Sequence, residues 1–275
     1  MPNLSVTLLT SAWAANKYLN QYLLGLSQLK EVSGELDITV AFGSISDIYT
    51  EADHQLIKEK LESQCVKSGV KLHYYSGKSE NYSETIANLI AQTISSTENY
   101  AINNLDDFRE PSTLLAQAKT LQTEQITYSD YVTTNNVIAV LNNKVNGTSL
   151  EGVNLTIEPT YESVDMTNKE RYFREFRWGP FPCWKASLNA RLGVYSAEYR
   201  SSSDFDWFNR LIFHNITPVR TPGIGGYFLN NLTGLSTKPD TAGHRESYHI
   251  LERFLGNKHC CILNYSKKIL WRNLT

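Results

Sequence analysis

Tyr100-Ala101-Ile102-Asn103-Asn104-Leu105-Asp106-Asp107-Phe108-Arg109-Glu110-Pro111 is the stretch on which the reading of the fold turns. Its first three residues predict a short buried strand and Pro111 opens a helix, with amide and carboxylate side chains between them. Ligands of open α/β sheets bind beyond the carboxyl ends of the strands, so hard oxygen donors at that edge suit a divalent cation held against phosphate. In an extended chain Asn104 and Asp106 project to the same side, within reach of one ion. The competing reading is a turn in which Asp107 caps the next helix and Asp106 is merely solvated.

Working back from this stretch, Ser5-Val6-Thr7-Leu8-Leu9-Thr10 predicts a first buried strand, and Leu19, Tyr22, Leu23 and Leu26 share one face of the helix after it. Leu36 to Phe42 predicts a second strand broken by Gly43-Ser44, and 50–67 a helix with Leu56, Leu61 and Cys65 on one face. Val70 to Tyr75 is a third strand, after which Ser83 caps a helix burying Ile86, Leu89, Ile90 and Ile94. This alternation specifies an α/β fold with a mostly parallel central sheet and helices on both faces. Residues 1–110 form its nucleotide-binding half.

Working forward, Leu114, Leu115, Ala118 and Leu121 line a helix, and Gln125 to Val132 is β-prone. In 133–170 the pieces Val137-Ile138-Ala139-Val140 and Val153-Asn154-Leu155, set among Asn-Gly and Glu-Gly turn signals, predict a hairpin insertion. Trp178-Gly179-Pro180-Phe181-Pro182-Cys183-Trp184 reads as an ordered loop, Lys185 to Leu192 as a short helix, and Asp204 to Phe213 as a helix burying Trp207, Phe208, Leu211 and Ile212. From Ala242 a helix carries Tyr248, Leu251, Phe254 and Leu255, ahead of a β-prone Cys261-Ile262-Leu263. Residues 111–240 thus complete the same domain as its second half, and 241–275 form a C-terminal helix and tail.

Composition narrows the function. Lys plus Arg (26) nearly balances Asp plus Glu (28), so no basic surface for gripping nucleic acid is implied. No apolar run reaches the roughly 18 residues of a membrane span, and polar Thr10, Ser11 and Asn16 interrupt the N-terminal leucines, against a signal peptide. Cys65, Cys183, Cys260 and Cys261 form no CxxC pair and no disulfide framework. A cytoplasmic protein is expected, with peripheral membrane association left open.

Beyond the acidic stretch, Asp204 follows three serines at a helix start beside aromatics, where a carboxylate serves as general base toward a hydroxyl or simply as an N-cap. Trp178, Phe181 and Trp184 offer faces for stacking on a sugar, or anchors for the core. Gly223-Ile224-Gly225-Gly226 lacks the spacing of a phosphate loop and is rejected as one. The six histidines form no HExxH and no paired ligand spacing, so His214, His244 or His249 can each at most complete a metal site or serve as a surface or core histidine, and no GxSxG is present.

In their order these pieces resemble family 2 glycosyltransferases of the GT-A fold. The likeness spans roughly 5–235. It is carried by Ser5 to Thr10 with the Tyr18-Leu19 helix, by Asn88 ahead of Asn104-Leu105-Asp106-Asp107 and Pro111, and by Trp184-Lys185-Ala186-Ser187-Leu188 through Gly193 to Asp204-Phe205-Asp206-Trp207-Phe208-Asn209-Arg210. The resemblance implies transfer of a sugar from a nucleoside diphosphate, a UDP-sugar ahead of a GDP-sugar, to a glycan or other acceptor hydroxyl with inversion, assisted by Mn²⁺ or Mg²⁺. By the same resemblance Asn104 and Asp106 occupy the positions of the DxD metal motif with Asp107 beside them, and Asp204 that of the base. Thr10, Ser11 and Ala12 match positions touching the nucleoside, and Asn88 and Tyr82 the segment lining the donor.

Two departures stand out. Asn104 replaces the first acid of the metal motif, removing a negative charge. No acid ends the second strand, which reads Val40-Ala41-Phe42-Gly43-Ser44, leaving Asp47 as substitute. Both departures suit the alternative of a non-catalytic sugar-nucleotide or glycan-binding module, whereas an acid at 204 suits catalysis. A nucleotidyltransferase would need a Gly-rich basic loop after the first strand, which Thr10-Ser11-Ala12-Trp13-Ala14-Ala15 is not.

Overall fold

The computed structural model describes residues 4–12, 15–45, 49–230 and 242–256. Strands β1 (Leu4–Ala12), β2 (Leu36–Ser44), β3 (Lys71–Tyr75) and β4 (Asn99–Ile102) are joined by helices α1 (Ala15–Gln28), α2 (Glu51–Ser68) and α3 (Tyr82–Thr93). All four strands pair in parallel, in the order β3-β2-β1-β4. The near-continuous apolar runs of β1 and β2 reflect burial on both faces. One face packs on α1, α2 and the later α4 (Pro111–Thr120) through Leu8, Val40, Leu26, Leu61 and Leu114. The other packs on α3 through Leu9, Ala41, Ile86, Leu89 and Ile90.

The chain then passes through β5 (Phe108–Arg109), α4, β6 (Ile126–Thr134), α5 (Val137–Asn146), β7 (Leu155–Glu158), α6 (Lys169–Arg174), β8 (Cys183–Lys185), α7 (Ser187–Leu192), α8 (Ser203–Phe213), β9 (Val219–Leu229) and α9 (Ala242–Leu255). The sheet continues from β4 through β8, β6 and β9 to β5. Strand β8 runs antiparallel to both neighbours, so β6 and β9 regain the direction of β4. The sheet is mostly parallel, with helices on both faces and a C-terminal helix.

Several local expectations are corrected. Strand β2 does not break at Gly43-Ser44 but runs through both, because a Cβ on Gly43 would come 2.3 Å from Thr85 Cγ2 and only glycine lets α3 approach so closely. On α2 the buried stripe is Ile57, Leu61 and Cys65, and Leu56 faces solvent, since 56 and 61 do not share a helical face. Asn81, not Ser83, caps α3, accepting the Glu84 N–H at 3.0 Å, while Ile94 lies past the helix end and is exposed. Val137–Asn146 is a helix, capped by Asn136 and closed by Gly147 at φ 66°, so the β6–β7 antiparallel pair is bridged by α5 rather than by a plain hairpin. Cys183 and Trp184 belong to central strand β8 instead of a loop. Trp178, Phe181 and Trp184 are wholly or almost wholly buried, which withdraws them as sugar-stacking faces.

The rejected glycine run lies in β9. A Cβ on Gly226 would meet the Phe108 carbonyl at 2.3 Å and the Phe181 ring at 2.6 Å, so glycine there serves the close approach of β5. The β-prone 261–263 lies outside the described residues.

Candidate active site

The residues after β4 do not remain extended. The Asp107 N–H approaches the Asn104 carbonyl at 3.4 Å, and Asn104 Nδ2 donates to Asp107 Oδ2 at 2.9 Å, closing a turn across 104–107. The expected alternation of Asn104 and Asp106 along a strand is therefore replaced by turn geometry, with the Asn104–Asp107 bond between side chains as its physical reason. Asp107 does not cap α4, whose N-cap position is Glu110; its Oδ1 accepts the Leu229 N–H at 2.8 Å and ties the turn to the end of β9.

Charge is concentrated in this turn. Burial first, and then neighbouring Asp106, pushes the buried Asp107 carboxyl well above its ordinary value, against the lowering effect of the Leu229 and Asn104 bonds. Burial likewise raises Asp106, with Lys17 pulling the other way. Asn104 is committed at both ends, because its Oδ1 accepts the Tyr82 hydroxyl at 3.1 Å. Among the described residues no group of three His, Cys, Asp or Glu is placed to hold a metal ion.

Tyr82, in the first turn of α3, joins the two acidic regions. Its phenol is raised by burial and then by the negative charges of Asp204, Asp107 and Asp106, so the carboxylate of α8 and those of the turn bear on one hydroxyl. Tyr195 completes the surround: its phenol is raised by burial, by Tyr82 and by Asp204. A direct clamp sets the spacing of the two helices, since the buried Ser83 hydroxyl is 2.6 Å from Ser203 Oγ and donates to the Tyr199 carbonyl at 2.7 Å.

Asp204 occupies the first turn of α8 but is not its N-cap, a position held by Ser202. Its Oδ1 accepts the Phe205 N–H at 2.8 Å. Burial raises the carboxyl to about 6, opposed by the Phe205 and Asp204 backbone N–H groups and assisted by the charge of Glu246. A carboxyl near 6 is largely ionised at neutral pH and more basic than a solvated aspartate, as a general base requires. Helix α8 is itself bolted down: Trp207 Nε1 donates to the Gly193 carbonyl at 3.1 Å, Arg210 donates to the carbonyls of Leu192 and Val194, and buried Asp206 pairs with Arg210 at 3.0 Å.

The other predicted residues are placed as follows. Thr10 is fully buried, 2.6 Å from the Tyr22 hydroxyl and donating to the Asn103 carbonyl at 2.7 Å, so its side chain braces β1 against the turn. Ser11 is buried and its hydroxyl has no hydrogen-bond partner among the described residues; Ala12 packs in the core beside α1. Asn88 donates to the Tyr75 hydroxyl at 3.4 Å and to Ser79 Oγ at 3.3 Å, apart from the acidic turn's own bonds. Asp47 and the side chain of His244 lie outside the described residues, while His214 and His249 are exposed away from these contacts. Sequence reasoning did not single out Tyr195 and Glu246, since neither sits in a motif and only folding brings them to Asp204.

No protein-family model matches the chain, and no curated protein sequence matches it. Solved structures do. The S. aureus TarS 1-349 structure superposes with a TM-score of 0.56 at 15% identity over 93% of this chain and 71% of that one. The same fragment with UDP-GlcNAc superposes at a TM-score of 0.53 and 14% identity, over 93% and 72%. The mannosyltransferase PcManGT of Pyrobaculum calidifontis, in complex with GDP-Man and Mn²⁺, gives a TM-score of 0.51 at 11% identity, over 88% of this chain and 59% of its own. The fold is that of the GT-A glycosyltransferases. Within it the Asn104–Asp107 turn follows the carboxyl end of β4, the edge at which open α/β sheets receive ligands.

Proposed function

We propose that the protein is an inverting glycosyltransferase that moves a sugar from a nucleoside diphosphate sugar to an acceptor hydroxyl, with Asp204 as general base. The observation that carries this reading is that the start of α3 bonds both acidic regions, which come from separate halves of the chain: the Tyr82 hydroxyl donates to Asn104 of the turn at 3.1 Å, and Ser83 bonds Ser203 beside Asp204 at 2.6 Å. Asp204 takes the acceptor hydroxyl proton as that oxygen bonds to the anomeric carbon; the bond from that carbon to the diphosphate oxygen breaks, and the diphosphate leaves with the electron pair. The UDP-GlcNAc and GDP-Man bound by the structural neighbours support a nucleotide-sugar donor, with UDP-sugars favoured and GDP-sugars next. The acceptor is a glycan or another hydroxyl compound.

A divalent cation, Mn²⁺ or Mg²⁺, fits the turn through one carboxylate. Asn104 and Asp107 are spent on each other, on Tyr82 and on Leu229, whereas no other described side chain bonds the Asp106 carboxylate. Two buried carboxyls, both raised by desolvation and Asp107 also by the charge of Asp106, favour an added positive charge. Such ions take one or two carboxylates and complete their shell with phosphate oxygens and water. When bound, the cation would neutralise charge on the diphosphate leaving group.

The test is release of UDP from UDP-GlcNAc and of GDP from GDP-mannose, with and without Mn²⁺, alongside melting temperature with each nucleotide. Turnover lost in Asp204→Asn, with the nucleotide-induced melting shift retained, is the expected result. A nucleotide-induced shift without turnover in the native protein would leave the binding-module reading instead.

A further inference from the structure

Three successive backbone N–H groups converge on one side chain just ahead of Asp204. Glu246, one turn into α9, accepts the Arg200 N–H on Oε1 at 3.0 Å, and on Oε2 the Ser201 N–H at 2.8 Å and the Ser202 N–H at 2.9 Å. A second tie runs beside it: Ser202 Oγ donates to the Gly243 carbonyl at 2.9 Å and lies 3.1 Å from Ser247 Oγ. The segment 200–202 has no strand or helix of its own, so its backbone is held by the C-terminal helix, and it leads directly into the turn that carries Asp204. Charge-assisted bonds of this kind are shorter and stronger than neutral ones.

We propose that Glu246 is a positioning residue for the transfer reaction, fixing through the 200–202 backbone the place from which Asp204 reaches the acceptor. The proposal rests on Asp204 being the base. Through these bonds α9 serves the transfer by placing Asp204. Glu246 also acts on Asp204 through space, its charge adding to the burial that raises the Asp204 carboxyl. Among the described residues Tyr82 from α3 and Tyr195 from the segment before α8 also face Asp204, both raised and therefore neutral across the pH range of interest.

The experiment compares native protein, Asp204→Asn, Glu246→Gln and Glu246→Ala in UDP release from UDP-GlcNAc and GDP release from GDP-mannose, from pH 5 to 8. Glu246→Ala is expected to lower kcat roughly 10- to 100-fold with donor KM nearly unchanged, because misplacement of a reacting group costs turnover rather than donor affinity. Glu246→Gln, which keeps one acceptor oxygen but loses the charge, is expected to retain more turnover and to move the acid limb of the rate profile to lower pH. A purely structural role would lower the amount of active protein without moving that limb.

Amide hydrogen exchange gives a readout independent of turnover: in Glu246→Ala the amides of Arg200, Ser201 and Ser202 should lose protection while those of β1 and β4 keep theirs. Unchanged kcat in Glu246→Ala, or an unmoved limb in Glu246→Gln, overturns the proposal while leaving Asp204 as base if Asp204→Asn is inactive. Turnover that survives in Asp204→Asn, or is missing from the native protein with either donor, overturns both.

Discussion

Residues 4–102 lay down four parallel strands, each joined to the next by one main helix, whereas 108–229 complete the same sheet with strands that run both ways. Among the described residues every strand of the first region pairs only with others of that region, apart from β4 with β8, and its core consists mainly of aliphatic side chains at strand and helix periods. In the second, aromatic groups from distant segments meet: Trp178 stacks on Phe208 at 5.2 Å and lies 4.7 Å from Tyr161, and Trp184 lies 5.1 Å from Trp207. The first region is assembled by local pattern, the second by long-range anchors. The two acidic sites straddle the difference, since the Asn104–Asp107 turn ends the first and Asp204 belongs to the second.

The comparison is broken most sharply by removing the base. Asp204→Asn is expected to lower transfer about 10²- to 10⁴-fold, the range for a lost general base, with nucleotide binding intact by calorimetry. Trp178→Ala tests whether the second region depends on its anchors; deleting a wholly buried tryptophan should cost about 3–5 kcal/mol in urea unfolding, with exchange rising first in β6, β8 and α8 and last in β1 and β2.

Arg109 sharpens the contrast further. It is a buried guanidinium, lowered by burial to about 10, with no carboxylate partner among the described residues; it donates to the carbonyls of Ile102, Phe181 and Pro182 and to Gln117 Oε1. Its planar fork joins β4 to the segment before β8, and Arg109→Lys should cost about 1–3 kcal/mol because an ammonium cannot reproduce that geometry.

The smallest expected effect has an informative sign. Burial pushes the Asp204 carboxyl of the folded protein up to about 6, well above the ordinary aspartate range. A raised carboxyl favours folding when protonated, a contribution full below the unfolded value and lost as pH rises through about 6. Ionised Asp204 therefore weighs against folding at pH 7, and Asp204→Asn should raise the melting temperature there by about 2–4 °C, a gain that shrinks as pH falls toward 4. A lower melting temperature at pH 7 would mean that Asp204 holds the helix start rather than being strained by it.

Legibility followed the same divide. Strands β1 to β4 and helices α1 to α4 were readable because alternation of period 2 and 3.6 is a local property, and misplacements such as Leu56 or Ser83 shift a position without changing the element. Val137–Val140 was misread because four apolar residues do not distinguish strand from helix; the Asn136 cap and Gly147 decide it. The Pro- and aromatic-rich 178–184 concealed β8, which exists because β4 and β6 offer it hydrogen bonds from both sides.

The sequence alone determined the α/β class, the acidic stretch beyond β4 and the Asp204 helix, because each is written in neighbouring residues whose propensities and periods act over one or two turns of chain. Only the tertiary structure decided that Asn104 and Asp107 bond each other, that Tyr82 stands between the two acidic regions and that Glu246 holds the approach to Asp204. Those relations depend on which backbone N–H groups and carboxylates are buried together, and burial is a property of the packed chain rather than of any segment.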